Sequence, residues 1–212
     1  MSAPKFDAAF REQFLGLLKW RRDVRRFERK PLPRGTIERL ISLASLSPSV
    51  GLSEPWRFAI VEDEGRRAAI RQCFEDCNQA ALKAQTPDRA AHYARLKLAG
   101  LDDAPCQVTV FADRSTTKGG GLGQRTMPET IDYSVAIAMH TLWLAARAEG
   151  LGVGWVSILD PSRVAAILSV PDDWRFIGHL CVGYPVQEDD TPVLEREGWE
   201  QRSSPTGVMV YR

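Results

Sequence analysis

The stretch LWLAARAEGLGVGWVSI, residues 142–158, contains the transition that decides the fold. Its first half continues an apolar helical pattern that starts near Thr130 and runs to Glu149, and Gly150 is typical of a residue that ends a helix. Its second half, GVGWVSIL, is a continuous apolar run that predicts a buried strand. A long helix followed at once by a buried strand predicts a chain that mixes α and β structure.

The same mixture continues on both sides of this stretch. Further helices are predicted at about residues 10–18, 37–44, 66–100 and 161–168. Strands are predicted at residues 57–63, 106–113 and 175–185, where β-branched and aromatic residues are frequent. Thr36 is expected to be the N-cap of the second helix.

Composition excludes several classes of protein. The 212 residues are 44% apolar, enough for the core of one domain, and a net charge of +1 gives no general attraction to nucleic acid or membranes. The four cysteines form no CxxC pair and the N-terminus lacks a signal-peptide core, so we expect a reduced, cytoplasmic protein. The longest apolar stretch, VAIAMHTLWLAARA, is too short to cross a membrane, and no metal site is expected.

The most distinctive charged segment is WRRDVRRF, residues 20–27. Arg21, Arg22 and Arg25 lie close enough along the chain to converge on one phosphate, which suits bidentate guanidinium contacts. The alternative is a solvated helix end, where cations complement the helix dipole. Asp23 would repel an anion, unless it only forms a salt bridge with Arg22 or Arg26.

The absence of the common nucleotide-binding motifs limits the kinds of phosphate-containing ligand that the arginines could bind. There is no P-loop, and KGGGLGQ, residues 118–124, lacks the spacing and flanking elements of a dinucleotide-binding turn, so it is predicted to be a loop. The three histidines are scattered and are expected to be ordinary packed or surface residues. A phosphate held by side chains instead of a glycine loop favours a mononucleotide, with FMN the leading candidate.

Five motifs, in order, resemble those of the nitroreductase-type flavoproteins: RRDVR (21–25), SPSVGLSEPWRF (47–58), LWLAARAEGLGVGWVSI (142–158), VGYP (182–185) and GWEQR (198–202). RRDVR, SPSVG, RLKLAGL and GVGWVSI are most similar to the branch of that family that makes 5,6-dimethylbenzimidazole. The resemblance implies one α+β, nitroreductase-like domain over residues 1–212. It also implies a mixed central sheet flanked by helices and an intertwined homodimer with FMN at the subunit interface.

The resemblance also implies a set of site residues. Arg21, Arg22 and Arg25 match positions that hold the FMN phosphate and ribityl chain, and Arg202 matches a basic residue that reaches the phosphate. The complete FMN-binding set is Arg21, Arg22, Asp23, Val24, Arg25, Pro48, Ser49, Val50, Val156, Ser157 and Arg202. Residues 48–50 are implied to reach the flavin from the other subunit, and residues 156–158 to pass its N5 edge.

Two residues depart from ordinary nitroreductases and are shared with the 5,6-dimethylbenzimidazole branch. Asp23 replaces a serine that helps bind flavin, and Ser157 places a hydroxyl at the N5 edge. In that branch FMNH₂ is the substrate and O₂ the co-substrate, and the products are 5,6-dimethylbenzimidazole, the lower ligand of cobalamin, and D-erythrose 4-phosphate. We expect Asp23 to be the general base or to orient the ribityl hydroxyls, and Ser157 to hydrogen-bond N5.

Several alternatives remain open at this stage. The chain could instead be an NAD(P)H-dependent nitroreductase that keeps its FMN, or a flavin- or phosphate-binding protein without redox activity. Glu54 stands where the family more often has Gln, and it could perturb flavin packing or face solvent.

Two segments are assigned from pattern and resemblance together. Residues 79–101 are predicted to form a lid over the flavin or a packed surface helix, and a separate flavin reductase is expected to supply FMNH₂. The C-terminal arm, residues 187–212, is predicted to wrap the other subunit or to pack on its own domain.

Overall fold

The computed structural model describes residues 3–86 and 99–212. Its α-helices are α1 (Ala8–Trp20), α2 (Thr36–Ala44), α3 (Glu64–Lys83), α4 (Gly100–Asp103), α5 (Thr130–Ala148), α6 (Pro161–Leu168) and α7 (Val193–Arg196). Its strands are β1 (Trp56–Ile60), β2 (Cys106–Asp113), β3 (Gly152–Val156) and β4 (Trp174–Gly183). Short 3₁₀ turns occur at Val50–Leu52 and Pro205–Val208. The helix and strand that were predicted on either side of Gly150 are confirmed.

The four strands form one sheet in the order β1-β2-β4-β3, and every neighbouring pair is antiparallel. The predicted α+β class is confirmed, but the sheet of this chain is antiparallel where a mixed sheet was expected. The reason is that β2 and β3, joined through α5, point the same way but are separated by β4. The described parallel pairing is an isolated bridge between Asp23 and Val153.

Both faces of the sheet are covered, which explains why all eight residues of β2 are buried. Alternate residues of a strand point to opposite faces. Val108 and Val110 therefore join the core cluster that contains α2 and α5, whereas Phe111, beyond a bulge, joins the cluster that contains α3 and α6. The result is a sheet between two helical layers.

Helix α5 is the main support of one face. Its buried residues recur at helical spacing and include Ile131, Val135, Ala138, Leu142 and Ala146. The helix ends where predicted, because Gly150 adopts the left-handed conformation, with φ 74°, that glycine accepts at little cost.

Two predicted boundaries are wrong for local reasons. Gly35, with φ 80°, is the N-cap of α2, and Thr36 is instead a buried first helical residue whose Oγ1 has no hydrogen-bond partner among the described residues. Strand β1 ends at Ile60 because Asp63 is already the N-cap of α3 and accepts a hydrogen bond from the backbone N–H of Arg66 at 2.8 Å.

Within the described ranges, no helix combines the length and apolar character needed to cross a bilayer.

A buried histidine ties the sheet to α4. His179 of β4 is completely buried, with Thr109 Oγ1 2.8 Å from its Nδ1 and Gln107 Oε1 3.1 Å from its Nε2. Gln107 Nε2 donates to the Leu101 carbonyl, so its Oε1 must accept from His179 Nε2, and Nδ1 accepts from Thr109. The ring is therefore neutral, and burial lowers the pKa of His179 to about 3.

This neutral ring predicts a specific loss of stability in acid. An unfolded histidine binds a proton below about pH 6.5, whereas folded His179 does not until near pH 3. Its contribution is therefore complete above about pH 6.5 and decreases by up to about 1.4 kcal/mol per pH unit as the pH falls toward 3. Urea unfolding of the wild type and of His179→Gln is measured at pH 7.5 and at pH 5. The difference in free energy of unfolding between the two proteins should be smaller at pH 5. An equal difference at the two pH values would contradict this prediction.

Candidate functional site

The segment RRDVR leaves α1 in an extended conformation and lies along the edge strand β3. The backbone N–H of Val24 donates to the Val153 carbonyl at 3.0 Å, and the Trp155 N–H donates to Asp23 Oδ1 at 2.9 Å. Asp23 therefore attaches the arginine segment to β3 by its side chain as well as through the bridge to Val153.

Alternation along this extended segment separates its charges from its apolar contact. Val24 packs onto the sheet: a Cβ added at Gly152 would lie 2.6 Å from its Cγ2. Arg21, Asp23 and Arg25 share the opposite side of the segment, because alternate residues of an extended chain point the same way. Consistent with this, Arg25 Nε lies 3.7 Å from Asp23 Oδ2.

Asp23 is a carboxyl group in an unusual environment. Burial raises its pKa, while the Trp155 N–H, Arg25 and Arg21 act in the opposite direction. Its ion-pair partner is Arg25, not the Arg22 or Arg26 considered from sequence, and the 3.7 Å separation is longer than a hydrogen bond. A raised pKa brings this carboxylate closer to the pH at which it can exchange protons.

Three of the predicted cations converge at one end of the segment. The Arg21 guanidinium lies over the Trp143 ring, 4.8 Å from its centroid. Burial lowers the pKa of Arg21 and of Arg22, and the positive charge of Arg202 lowers both further. Cations held together in this way attract an anion. We call Arg21, Arg22 and Arg202 the cation cluster.

These residues fit a bound FMN. The cation cluster suits a phosphate, and the buried Nε of Arg25, 3.7 Å from Asp23 Oδ2, has no hydrogen-bond partner among the described residues and is an unused donor. No group of three or more His, Cys, Asp or Glu within the described ranges could hold a metal ion.

Ser157 lies directly beyond the end of β3. Val156, the last strand residue, is buried, whereas Ser157 is exposed. Trp155, which binds Asp23, is two residues earlier, about 7 Å along the strand. The structure thus connects the two predicted catalytic residues through one strand end, and it identifies the Trp155 N–H as a contact that no sequence motif indicated.

The loop that carries Pro48, Ser49 and Val50 is not brought to the cation cluster within one chain. The backbone N–H of Val50 donates to Ser134 Oγ near the start of α5 at 3.0 Å, whereas Arg21 lies over Trp143, nine residues later. Nine helical residues span about 14 Å. Ser47, just before this loop, donates to Thr141 Oγ1 at 2.6 Å, so the loop runs along α5 from Thr141 toward Ser134.

Glu54 is partly buried, and its carboxylate forms an ion pair. It forms an ion pair with Lys118, the first residue of the glycine-rich loop, and has the left-handed φ of 45°. That loop packs against the 48–52 turn so tightly that a Cβ at Gly119 would lie 2.3 Å from the Gly51 carbonyl oxygen. Glu54 therefore fixes the glycine-rich loop behind the turn, a role that the family comparison of position 54 alone did not suggest.

About half of the predicted lid, residues 79–101, falls outside the described residues. Its first part is the end of α3, which runs to Lys83, and its last part is the start of α4. Ala99, just before α4, donates its N–H to the Arg25 carbonyl at 3.1 Å. The lid therefore stays a prediction, with its C-terminal end attached to the site segment.

Gly154 provides a test of the contact between this segment and β3. A Cβ at this position would lie 2.2 Å from the Val24 carbonyl oxygen, so Gly154→Ala must displace the segment that carries Asp23. We expect the variant to lose about 1–3 kcal/mol of stability, as in other overpacked sites, and most of its FMN affinity. Thermal unfolding and flavin binding check this.

The control is Gly16→Ala, because a Cβ there meets nothing within 4 Å and α1 gains a better helix former. Gly16→Ala should bind flavin as wild type does. Normal flavin binding by Gly154→Ala would contradict the proposed geometry.

Comparison with known proteins identifies the family of this chain. The nitroreductase family model matches residues 18–184. The chain is 54% identical over 201 residues to a 5,6-dimethylbenzimidazole synthase of Rhodospirillum rubrum, covering 95% of each chain. It is 45% identical over 196 residues to a 5,6-dimethylbenzimidazole synthase of Rhodobacter capsulatus, covering 92% of this chain and 95% of the relative.

A solved structure extends the comparison to three dimensions. Iodotyrosine deiodinase bound to FMN and 3-iodo-L-tyrosine superposes with a TM-score of 0.69 at 26% identity, covering 82% of this chain and 91% of that one. With a family model over most of its length and relatives at 45% and 54% identity, the chain belongs to the nitroreductase family, in its 5,6-dimethylbenzimidazole synthase group.

Proposed function

We propose that this protein is a 5,6-dimethylbenzimidazole synthase that uses O₂ to fragment FMNH₂, releasing the lower ligand of cobalamin and D-erythrose 4-phosphate. The observation that carries the proposal is Asp23: a carboxyl of raised pKa, held by the Trp155 N–H and placed beside an anion-binding cluster. A phosphate site that only binds FMN gains nothing from this negative charge. A site that must remove a proton from the ribityl chain requires one.

The cation cluster would bind the FMN phosphate. Arg21 is held over Trp143, and Arg202 approaches it from the C-terminal arm. The next charged groups along the segment, Asp23 and Arg25, would then face the ribityl chain, because the polar side of the segment continues through them.

Bound FMNH₂ would supply the electrons for O₂ and the atoms of three fragments. The dimethylbenzene ring, its two nitrogens and one ribityl carbon form 5,6-dimethylbenzimidazole, the other four ribityl carbons leave as erythrose 4-phosphate, and the pyrimidine part of the flavin leaves as a third, oxidised fragment. Asp23 is the proposed acceptor of a proton from the ribityl chain, and the Trp155 N–H keeps Oδ1 in place while Oδ2 is the freer oxygen. Arg25 stabilises the ionised carboxylate between proton transfers. Ser157 is the proposed hydrogen-bond partner of N5, and its hydroxyl is exposed at the end of β3.

The fate of the flavin distinguishes this function from that of an ordinary nitroreductase. The purified protein is given FMN with NAD(P)H and a nitroaromatic in one reaction, and FMNH₂ in air in another, while the flavin absorbance is followed. We expect permanent loss of the flavin spectrum only in the second. Sustained pyridine-nucleotide turnover with intact FMN would reject the proposal.

We also propose that a separate flavin reductase supplies the FMNH₂ and that the protein acts in the cytoplasm.

We further propose that the site is completed in a homodimer. Helix α1 has no buried residue, and its apolar side chains Phe10, Phe14 and Leu18 are 44%, 45% and 38% exposed. Val208, Val210 and Tyr211 at the end of the arm are also exposed. Such a surface is typical of a subunit interface. We expect the two halves of the arm to differ, since residues 191–195 are partly buried on their own chain and residues 206–212 are exposed.

The dimer predicts a specific effect of shortening the arm. Removing residues 204–212 deletes the exposed apolar end but keeps Arg202, so the chain should fold, dissociate at micromolar concentration and bind FMN more weakly. Sedimentation velocity and flavin titration measure both. A truncated chain that remains dimeric would show that the interface lies elsewhere, and a monomeric full-length chain would reject the dimer.

A further inference from the structure

The first half of the C-terminal arm carries three consecutive acidic residues, 188–190, and each is bound by a different arginine. The contacts are Arg147 with Glu188, Arg196 Nη1 with Asp189 Oδ2 at 3.1 Å, and Arg22 Nε with the Asp190 carbonyl at 2.9 Å. Arg147 belongs to α5 and Arg22 to the site segment, so these two contacts join the arm to the body, whereas Arg196 of α7 lies in the arm itself. We call this arrangement the arm clamp. It connects the arm to the body just before the arm reaches the cation cluster.

Arg22 belongs to both the clamp and the cluster. It donates to the Asp190 carbonyl through Nε and Nη2, and to the Arg21 carbonyl through Nη1 at 2.9 Å. A guanidinium has more N–H groups than these bonds use, so Arg22 can hold the arm and still contribute charge at the phosphate site. Its backbone is fixed as well, because Trp143 Nε1 donates to the Arg22 carbonyl at 3.2 Å.

Arg202 depends on the clamp for its position. The arm is partly buried over residues 191–195, but the side chains of residues 200–204 are exposed. The positive charge of Arg202 nevertheless lowers the pKa of both Arg21 and Arg22. Like charges repel one another, so an arm free to move would carry Arg202 away from the other two arginines. Attachment of the arm at residues 188–190 opposes that repulsion.

We propose that Arg147 and Glu188 are positioning residues for the FMN phosphate: their ion pair docks the arm so that Arg202 completes the cation cluster. This rests on the proposed function only in taking FMN as the ligand. The pair lines a small cavity beside Trp143, whereas Asp23 lines a different cavity that neither residue of the pair reaches, and the Arg147 side chain is 20% exposed. An ion pair so placed can affect the phosphate end of the ligand without touching the flavin ring or Asp23.

The test compares oxidised FMN with riboflavin, which lacks the phosphate, by flavin fluorescence titration of the whole protein. Arg147→Glu and Glu188→Arg should each weaken FMN binding about 10-fold and change riboflavin binding by less than about 2-fold, as expected for a coupled charge pair. The double variant, Arg147→Glu with Glu188→Arg, restores the opposite charges and should recover FMN binding to within about 3-fold of wild type.

A matched control is available at the same end of α5. Arg39 pairs with Glu149, with Nε 3.0 Å from Oε1, but this pair holds α2 and not the arm. Arg39→Glu should leave the ratio of FMN to riboflavin affinity unchanged. Should a single reversal fail to fold, Glu188→Gln keeps the shape, removes the charge and should still give an FMN-specific loss of about 3-fold.

Three results would overturn the proposal: unchanged FMN affinity in the single variants, equal losses for FMN and riboflavin, or no recovery in the double variant. The measurement needs no turnover, because oxidised flavin is titrated. A wild-type protein that binds FMN without fragmenting it would therefore reject the proposed function and leave this test intact.

Discussion

Asp23→Asn should bind FMN normally and form at least about 100-fold less 5,6-dimethylbenzimidazole than the wild type. The amide keeps the size of the side chain and its carbonyl oxygen can still accept the Trp155 N–H, so the segment should remain on β3. It cannot accept a proton, and removal of a general base typically costs about 10²–10⁴ in rate. Flavin titration measures binding, and single-turnover product analysis with FMNH₂ in air measures the chemistry.

The pH dependence gives the same prediction a second readout. A base acts when it is deprotonated, so product formation should decline as the pH falls through the pKa of Asp23, and burial places that decline above the range of an ordinary aspartate. Asp102→Asn is the control, since Asp102 pairs with Arg71 on the surface. If Asp23→Asn formed product at the wild-type rate, a group other than Asp23 would have to be the base.

Arg21→Ala combined with Arg202→Ala should weaken FMN binding by about 100-fold or more. Each arginine is expected to give one charge-assisted contact with the phosphate, worth about 1.5–3 kcal/mol. Riboflavin should bind the double variant and the wild type with similar affinity, because it lacks the group that these residues recognise. Isothermal titration with both ligands provides the comparison.

Lys19→Ala is the matched control for this variant. Lys19 is a basic residue in the last turn of α1, two positions before Arg21, and it is exposed. Removing it changes the net charge but not the cation cluster, so FMN affinity should change by less than about 3-fold. If the double variant kept its FMN affinity, or lost riboflavin equally, the cluster would not be the phosphate site.

Strong periodic signals in the sequence predicted most of the fold. Helix α5 and strand β2 were located almost to the residue, because one has an apolar face ended by Gly150 and the other is rich in β-branched and aromatic residues. The residue that caps helix α2 was harder to predict from the sequence. Whether Gly35 or Thr36 caps α2 depends on the backbone conformation of the preceding turn, and both residue types are accepted at such positions.

The site was predicted as a set of residues but not as an arrangement. RRDVR and the strand before Ser157 could be matched to a family, yet nothing in either stretch shows that the Asp23 carboxylate binds the Trp155 N–H. The pairing of Glu54 with Lys118, and of Arg147 with Glu188, joins positions far apart in sequence. Such contacts follow from strand order and loop packing, which a single sequence does not display.

The most direct test of the central claim is the product formed when FMNH₂ and O₂ meet the wild-type protein. FMNH₂ is mixed with an excess of enzyme in air, and the quenched reaction is analysed by chromatography and mass spectrometry for flavin, 5,6-dimethylbenzimidazole and erythrose 4-phosphate. The account predicts that the aromatic product and the sugar phosphate appear in equal amounts as FMN disappears. Full recovery of FMN, with peroxide as the only product, would contradict it.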